Sequence, residues 1–273
     1  MALKPLRDVI AEHGLATKKS LGQHFLLDTN LLAKIARAAG DLTGVDVIEV
    51  GPGPGGLTRA LLDTNAKHVT AIEKDSRCIA ALAPLHEAYE GRFSLQEADA
   101  MRIDFTKIGT APRTMVSNLP YNVGTALILQ WLDEAALSGN TTINGFTVML
   151  QKEVAERLVA EPGSKAYGRI SVLVHLLSDA ALLFDVPPGA FSPPPKVMSS
   201  IVRARFLPKP RYEVDIEALQ KITTAAFGQR RKMLRQSLKA LGGEALCIAA
   251  GIDPTLRPEQ CDLQTFVALA KAL

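Results

Sequence analysis

Residues 45–63 read VDVIEVGPGPGGLTRALLD. Six residues rich in β-branched side chains, VDVIEV (45–50), end in a turn of glycine and proline, and a helical stretch opens at once with GGLTRALLD (55–63). A strand, a glycine turn and a helix in that order make the start of a βα unit. Gly51, Gly53 and Gly56 satisfy G-x-G-x-x-G, the spacing that lets a backbone approach a ligand closely where a helix begins. A tight turn without a ligand also uses glycine, so the loop needs a second signal.

Outward from this stretch the same alternation continues. HVTAIE (68–73), RFSLQEAD (92–99), TMVSNL (114–119) and GFTVMLQ (145–151) read as strands. SRCIAALAPLHEAY (76–89), VGTALILQWLDEAAL (123–137) and KEVAERLVA (152–160) read as the helices between and after them. Strands that alternate with helices of this length pair in parallel through crossovers, and continuous apolar strands belong to a sheet covered on both faces. PPGAFSPPPKV (187–197) can be neither helix nor central strand and is an ordered loop, followed by a further strand, SSIVRARF (199–206). Strand patterns then stop. DIEALQKITTAAF, QRRKMLRQSLKAL, EALCIAAG and DLQTFVALAKAL are four helical pieces, which places a domain boundary near 207–212. The expected domains are 1–206, with a helical segment over 1–44, and a helical domain over 207–273.

The chain has 273 residues, 47% apolar and 22% charged, with a net charge of +3, the composition of a globular protein rather than a disordered one. Cys78, Cys247 and Cys261 are too scattered for a zinc or redox motif, and no metal is expected. The N-terminus carries charges throughout and is no secretory signal. The most apolar region, 170–186, is interrupted by His175, Ser178, Asp179 and Asp185 and is no membrane span. A cytoplasmic protein without membrane attachment is expected.

The second signal for the loop is Glu73, 22 residues after Gly51 at the end of the next strand. A carboxylate there accepts both hydroxyls of a ribose, so the ligand is an adenine nucleoside, and both NAD and S-adenosylmethionine qualify. Pro52 and Pro54 remove two amide donors, which suits a pyrophosphate poorly and tilts the choice toward S-adenosylmethionine. Asp99, ending the third strand, is placed to accept the exocyclic amine of the bound adenine.

NLPY (118–121) follows the fourth strand and lies on the same carboxyl edge. A turn needs Asn or Pro but not the aromatic. An exocyclic base amine is a poor nucleophile because its lone pair is delocalised into the ring. Acceptors on its two N–H groups let the nitrogen pyramidalise. The Asn118 carboxamide oxygen and a main-chain carbonyl at Leu119 or Pro120 supply two such acceptors, Pro120 fixes the chain, and Tyr121 offers a stacking ring.

KKSLGQHFL (18–26), EVGPGPGGLT (49–58), NLPYN (118–122), FSPPPKV (191–197) and AFGQRRKMLRQSLKAL (226–241) together resemble the ribosomal RNA adenine N6,N6-dimethyltransferases, from about residue 10 to the C-terminus. The resemblance implies a Rossmann-like class I methyltransferase sheet with an added antiparallel strand, plus a small all-α C-terminal domain. It implies methyl transfer from S-adenosylmethionine to the N6 amines of two adjacent adenines near the 3′ end of small-subunit (16S) ribosomal RNA during 30S biogenesis. It places His24, Leu26, Gly51, Glu73, Asp99 and Asn118 at the cofactor, along with Gly53 of the same turn. It places Asn118, Leu119, Pro120 and Tyr121 at the target amine, and Phe191 as a second stacking wall. The family often has Asn where this chain has His24. A base must leave the RNA stack to be methylated, and stacking worth about 1–3 kcal/mol per base offsets the cost of everting it.

From Ala218 to Gly243 there is no acidic residue, but Lys221, Arg230, Arg231, Lys232, Arg235 and Lys239 are all basic. With Lys18 and Lys19 they form the expected phosphate-tracking surface. An NAD-dependent dehydrogenase would leave NLPY and this basic run without a role. Large-subunit ribosomal RNA adenine methyltransferases share the catalytic motifs, but AFGQRRKMLRQSLKAL and FSPPPKV favour the small-subunit enzyme. An assembly or transcription factor without turnover would have no need of an intact Asn118, Pro120 and Tyr121. The expected partner is small-subunit RNA in the assembling 30S particle, bound by a monomer.

Overall fold

A computed structural model describes residues 3–15, 24–137 and 142–273. Lys18 and Lys19 lie outside the described residues. Contacts divide the chain into two compact units, Met1–Ala155 with Ala181–Phe206, and Glu156–Ala180 with Leu207–Leu273.

The first unit opens with α1 (Leu6–Glu12), the short β1 (Phe25–Leu26) and α2 (Thr29–Ala38). Asp28 caps α2 by accepting from Asn30 N and Leu31 N, and Leu32, Ile35 and Ala36 give it one buried stripe at helical spacing. Then follow β2 (Asp46–Val50), α3 (Gly56–Leu62), β3 (His68–Glu73), α4 (Ser76–Ala88), β4 (Phe93–Glu97), β5 (Arg113–Asn118), α5 (Gly124–Leu137), β6 (Ile143–Gln151) and the start of α6 (Lys152–Leu158), whose last residues belong to the second unit. The unit is completed by most of β7 (Ser178–Val186), the short β8 (Phe191–Ser192) and β9 (Ser199–Phe206). One seven-stranded sheet has the order β4-β3-β2-β5-β6-β9-β7, and β1 pairs antiparallel with β8. The strands β4, β3, β2, β5 and β6 pair in parallel. β9 is the expected added strand, antiparallel to β6. β2, inside the sheet between β3 and β5, is buried at all five residues, which is why its sequence shows no alternation.

Strand order reverses beside β2, where the chain builds β3 and β4 on one flank and then crosses to β5 and β6 on the other. That reversal opens a crevice at the carboxyl ends of β2 and β5. The β2–β5 ladder stops at Ile48 and Met115. Beyond it, the Val50 N–H donates to the Ser117 hydroxyl at 2.9 Å instead of to a strand carbonyl.

The second unit contains α7 (Arg169–Leu177), α8 (Ile216–Gly228), α9 (Leu234–Ser237), α10 (Gly243–Ala249) and α11 (Leu263–Ala272). The segment 156–180 was expected in the first domain, but it packs with the C-terminal helices. α7 buries Ile170, Val172, Leu173, Val174, Leu176 and Leu177. A helix apolar on nearly every side needs cover on every side, and α8 and α11 supply it. The basic stretch 229–241 is also not one helix. Only Leu234–Ser237 is α-helical, with a 3-10 turn at Lys239–Leu241, because Leu234 N and Arg235 N bond the carbonyls of Leu256 and Pro254 instead of continuing α8. Among the described residues no helix is long and apolar enough to cross a membrane.

Candidate active site

One cleft at the crevice is lined by His24, Leu26, Gly51, Gly53, Glu73, Asp99, Asn118, Leu119, Pro120 and Tyr121. These residues come from five separate stretches of sequence. The strand ends bring them together.

The glycine turn forms the floor. Gly51 and Gly53 have φ of +69° and +56°, a region other residues enter only with strain. The Gly51 N–H donates to the Ile72 carbonyl at 2.9 Å. Pro120 lies over Gly51, since a Cβ at 51 would meet its ring at 3.5 Å. The glycine turn and NLPY are therefore in contact.

Glu73 is buried and works on the backbone. Its Oε1 accepts from Lys74 N at 2.8 Å and Asp75 N at 2.9 Å, while Oε2 accepts from Gly53 N at 3.3 Å. It thus ties the end of β3 to the glycine turn with acceptor capacity left for the cleft. Asp99 is exposed, and its Oδ1 accepts from Met101 N at 3.1 Å.

The NLPY segment is held on three sides. Asn118 Nδ2 donates to the His24 carbonyl at 3.4 Å. The Pro120 carbonyl accepts from Val123 N at 3.2 Å and Gly124 N at 3.1 Å, starting α5. Of the two main-chain acceptors the sequence left open, Pro120 O is therefore engaged, and Leu119 O accepts from none of the described residues. Tyr121 Oη and Ser199 Oγ bond at 2.7 Å.

Phe191 differs from expectation. It is 5% exposed, sits in the hydrophobic core and does not line the cleft. Pairing of Leu26 with Phe191 across β1 and β8 draws it inward. Its ring meets His24 edge-on at 6.4 Å, and His24 lies 5.6 Å from the Tyr121 ring at 32°. His24 Nδ1 donates to the Pro193 carbonyl at 2.8 Å. A carbonyl can only accept, so this ring carries its proton on Nδ1. His24, not Phe191, is the ring beside Tyr121 at the cleft.

Two further residues were not singled out from the sequence. Glu49 lines the cleft at 1% exposure, and its Oε2 has no hydrogen-bond partner. Burial pushes its carboxyl up to about 8, and the neighbouring Glu73 carboxylate adds to the rise. Ser117 bridges the parted strands as described. A second acid, after Asp46, in a strand whose other residues are apolar was the available signal for the first. Nothing in the pattern announced the second.

Of the basic residues, Arg230, Arg231, Lys232, Arg235 and Lys239 are exposed, and none has an ion pair among the described residues. Lys221 instead pairs with Glu217 at 2.7 Å. All belong to the second unit. Among the described residues no group of His, Cys, Asp or Glu could hold a metal ion.

The profile described as "Ribosomal RNA adenine dimethylase" matches residues 14–273. Curated relatives include "Ribosomal RNA small subunit methyltransferase A" of Paracoccus denitrificans (strain Pd 1222), 56% identical over 99% of this chain and 96% of that protein. The protein of the same name from Jannaschia sp. (strain CCS1) is 53% identical over 99% and 94%. Among solved structures, a dimethyladenosine transferase from Plasmodium falciparum aligns with a TM-score of 0.72 at 26% identity, over 90% of this chain and 96% of that one. The 23S rRNA methyltransferase ErmE aligns at 0.66 and 26% identity, over 91% and 99%. The strand order, the glycine turn against NLPY and these full-length similarities agree: the chain belongs to the ribosomal RNA adenine dimethylase family, whose members are S-adenosylmethionine-dependent methyltransferases.

Proposed function

We propose that this protein transfers methyl groups from S-adenosylmethionine to the N6 amines of two adjacent adenines near the 3′ end of small-subunit ribosomal RNA, acting as a cytoplasmic monomer on the assembling 30S subunit. The observation that carries the reading is the pair of free acceptors at the cleft, Asn118 Oδ1 and the Leu119 carbonyl, set beside the glycine turn.

The cofactor fits the residues present. An adenosyl group carries two ribose hydroxyls and an exocyclic amine, and the methionine part carries an ammonium; all are donors. Facing them are carboxyl groups at Glu73, Asp99 and Glu49, the last with a buried, unpartnered oxygen. His24, Leu26, Gly51 and Gly53 complete the walls. S-adenosylmethionine, when bound, supplies an electrophilic methyl group.

The chain's own residues then prepare the amine. Asn118 Oδ1 and Leu119 O accept its two N–H groups and direct the nitrogen lone pair, while Pro120, bonded into the start of α5, keeps Leu119 O facing the cleft. No strong base is required, because the proton leaves only after the nitrogen has become cationic. Positioning and electrostatics carry the catalysis. Tyr121 is the stacking face for the everted base, with His24 beside it and Phe191 backing His24 from the core. Residues 207–273 serve as the RNA-binding domain, where Arg230, Arg231, Lys232, Arg235 and Lys239 contact phosphates; Lys18 and Lys19 are further candidates for phosphate contact.

The curated relatives' names favour the small-subunit target, while the likeness to ErmE keeps large-subunit RNA as the second reading. Incubation of unmodified ribosomal subunits with the protein and labelled cofactor, followed by mass spectrometry of RNA digests, decides between them. N6,N6-dimethyladenosine at two neighbouring positions near the small-subunit 3′ end is expected. Label confined to large-subunit RNA overturns the proposal.

A further inference from the structure

Ser199 is fully buried at the start of β9, opposite Gln151 of β6. Its hydroxyl bonds that of Tyr121. A buried hydroxyl costs free energy unless it is paired, and alanine would fill this strand position at less risk. The pairing therefore needs an account beyond packing. Ser199 ends the turn that Phe191 begins, and the same turn presents the Pro193 carbonyl to His24 Nδ1. One stretch, 191–199, thus holds both rings at the mouth of the cleft, Tyr121 through its hydroxyl and His24 through its ring nitrogen.

We infer that Ser199 is a positioning residue for the target base: its hydroxyl anchors the far end of the Tyr121 side chain and fixes where the ring sits, so that an adenine gripped by Asn118 and Leu119 meets a ring already in place. A half-buried tyrosine without this bond keeps rotamer freedom that must be lost whenever a base docks, and a preset ring removes that cost. The bond also ties NLPY, which grips the amine, to β9 across the sheet, so ring and acceptors move as one body. The inference rests on the proposed role of Tyr121 as the stacking face.

A double-mutant cycle tests it, using Tyr121→Phe, which keeps the ring and loses the bond, Ser199→Ala, and the pair together. Methylation of unmodified small subunits is followed alongside cofactor Kd by calorimetry and melting temperature. Each single variant is expected to lower kcat about tenfold with KM for the subunit and cofactor Kd unchanged, and the double variant to fall no further. A double variant slowed by the product of the two effects, about 100-fold, overturns the inference, as does wild-type kcat in Ser199→Ala. Tyr121→Phe makes the same cut from the half-buried side and keeps the test alive should Ser199→Ala fail to fold. Wild-type protein without adenine methylation removes the functional reading, and this inference with it; an active wild type with a silent Ser199→Ala removes this inference alone.

Discussion

Asn118 donates its Nδ2–H to the main-chain oxygen of His24, and that bond decides which end of the carboxamide faces the cleft. The His24 carbonyl can only accept, so the amide nitrogen must be the end that meets it. Oδ1 is left toward the cleft as an acceptor. The orientation on which the proposed chemistry depends is therefore set by a segment 94 residues away in sequence.

The bridge at Ser117 should matter for stability and for cofactor binding. Ser117→Ala leaves the Val50 N–H buried without a partner where the ladder has already stopped. A loss of about 1–3 kcal/mol in unfolding free energy is expected by urea denaturation. Because Val50 leads directly into Gly51, calorimetry should also show weaker cofactor binding. Unchanged values in both would assign the bridge no part in shaping the turn.

Glu49 gives the free protein a signed pH dependence. Its carboxyl stays protonated in the folded state up to about 8 but titrates at an ordinary 4.5 when exposed. Between those values the unfolded chain has released a proton that the folded chain still holds. The stability this group contributes is fully present below 4.5, declines as pH rises through the window, and levels off above about 8. The change is on the order of a few kcal/mol. Melting temperatures from pH 5 to 8 should fall more steeply for the wild type than for Glu49→Gln. Parallel curves would place the titration elsewhere.

RNA binding should depend steeply on salt. If the five exposed cations Arg230, Arg231, Lys232, Arg235 and Lys239 each meet a phosphate, affinity falls about 100- to 500-fold between 50 and 200 mM salt. Arg231→Ala should flatten the slope by about one. Filter binding at four salt concentrations measures both, and a slope near zero would take this surface out of the RNA footprint.

Much of this was legible in the chain itself. β2 and its glycine turn stand out because an apolar run, a G-x-G-x-x-G spacing and a helix start coincide within 19 residues. Glu73, Asp99 and Asn118 follow from the rule that strand ends converge. What was hidden depends on geometry. β7 reads SDAALLFDV, with few of the β-branched residues that mark a strand, and it follows α7 with no intervening loop, so no glycine or proline within 170–186 marks the change from helix to strand. Phe191 looked like an open wall because the sequence cannot show that β8 pairs with β1 and turns the ring inward. That Pro120 O is engaged could be seen only with the Val123 and Gly124 amides in place.

The central claim is that Asn118 Oδ1 and the Leu119 carbonyl hold the target amine. Single-turnover methylation of small subunits by Asn118→Ala, at saturating cofactor, tests it most directly. A rate lower by about 10²–10³-fold with RNA affinity retained is the expected result, as for loss of one acceptor used in the transition state; a rate equal to that of the unaltered protein would contradict it.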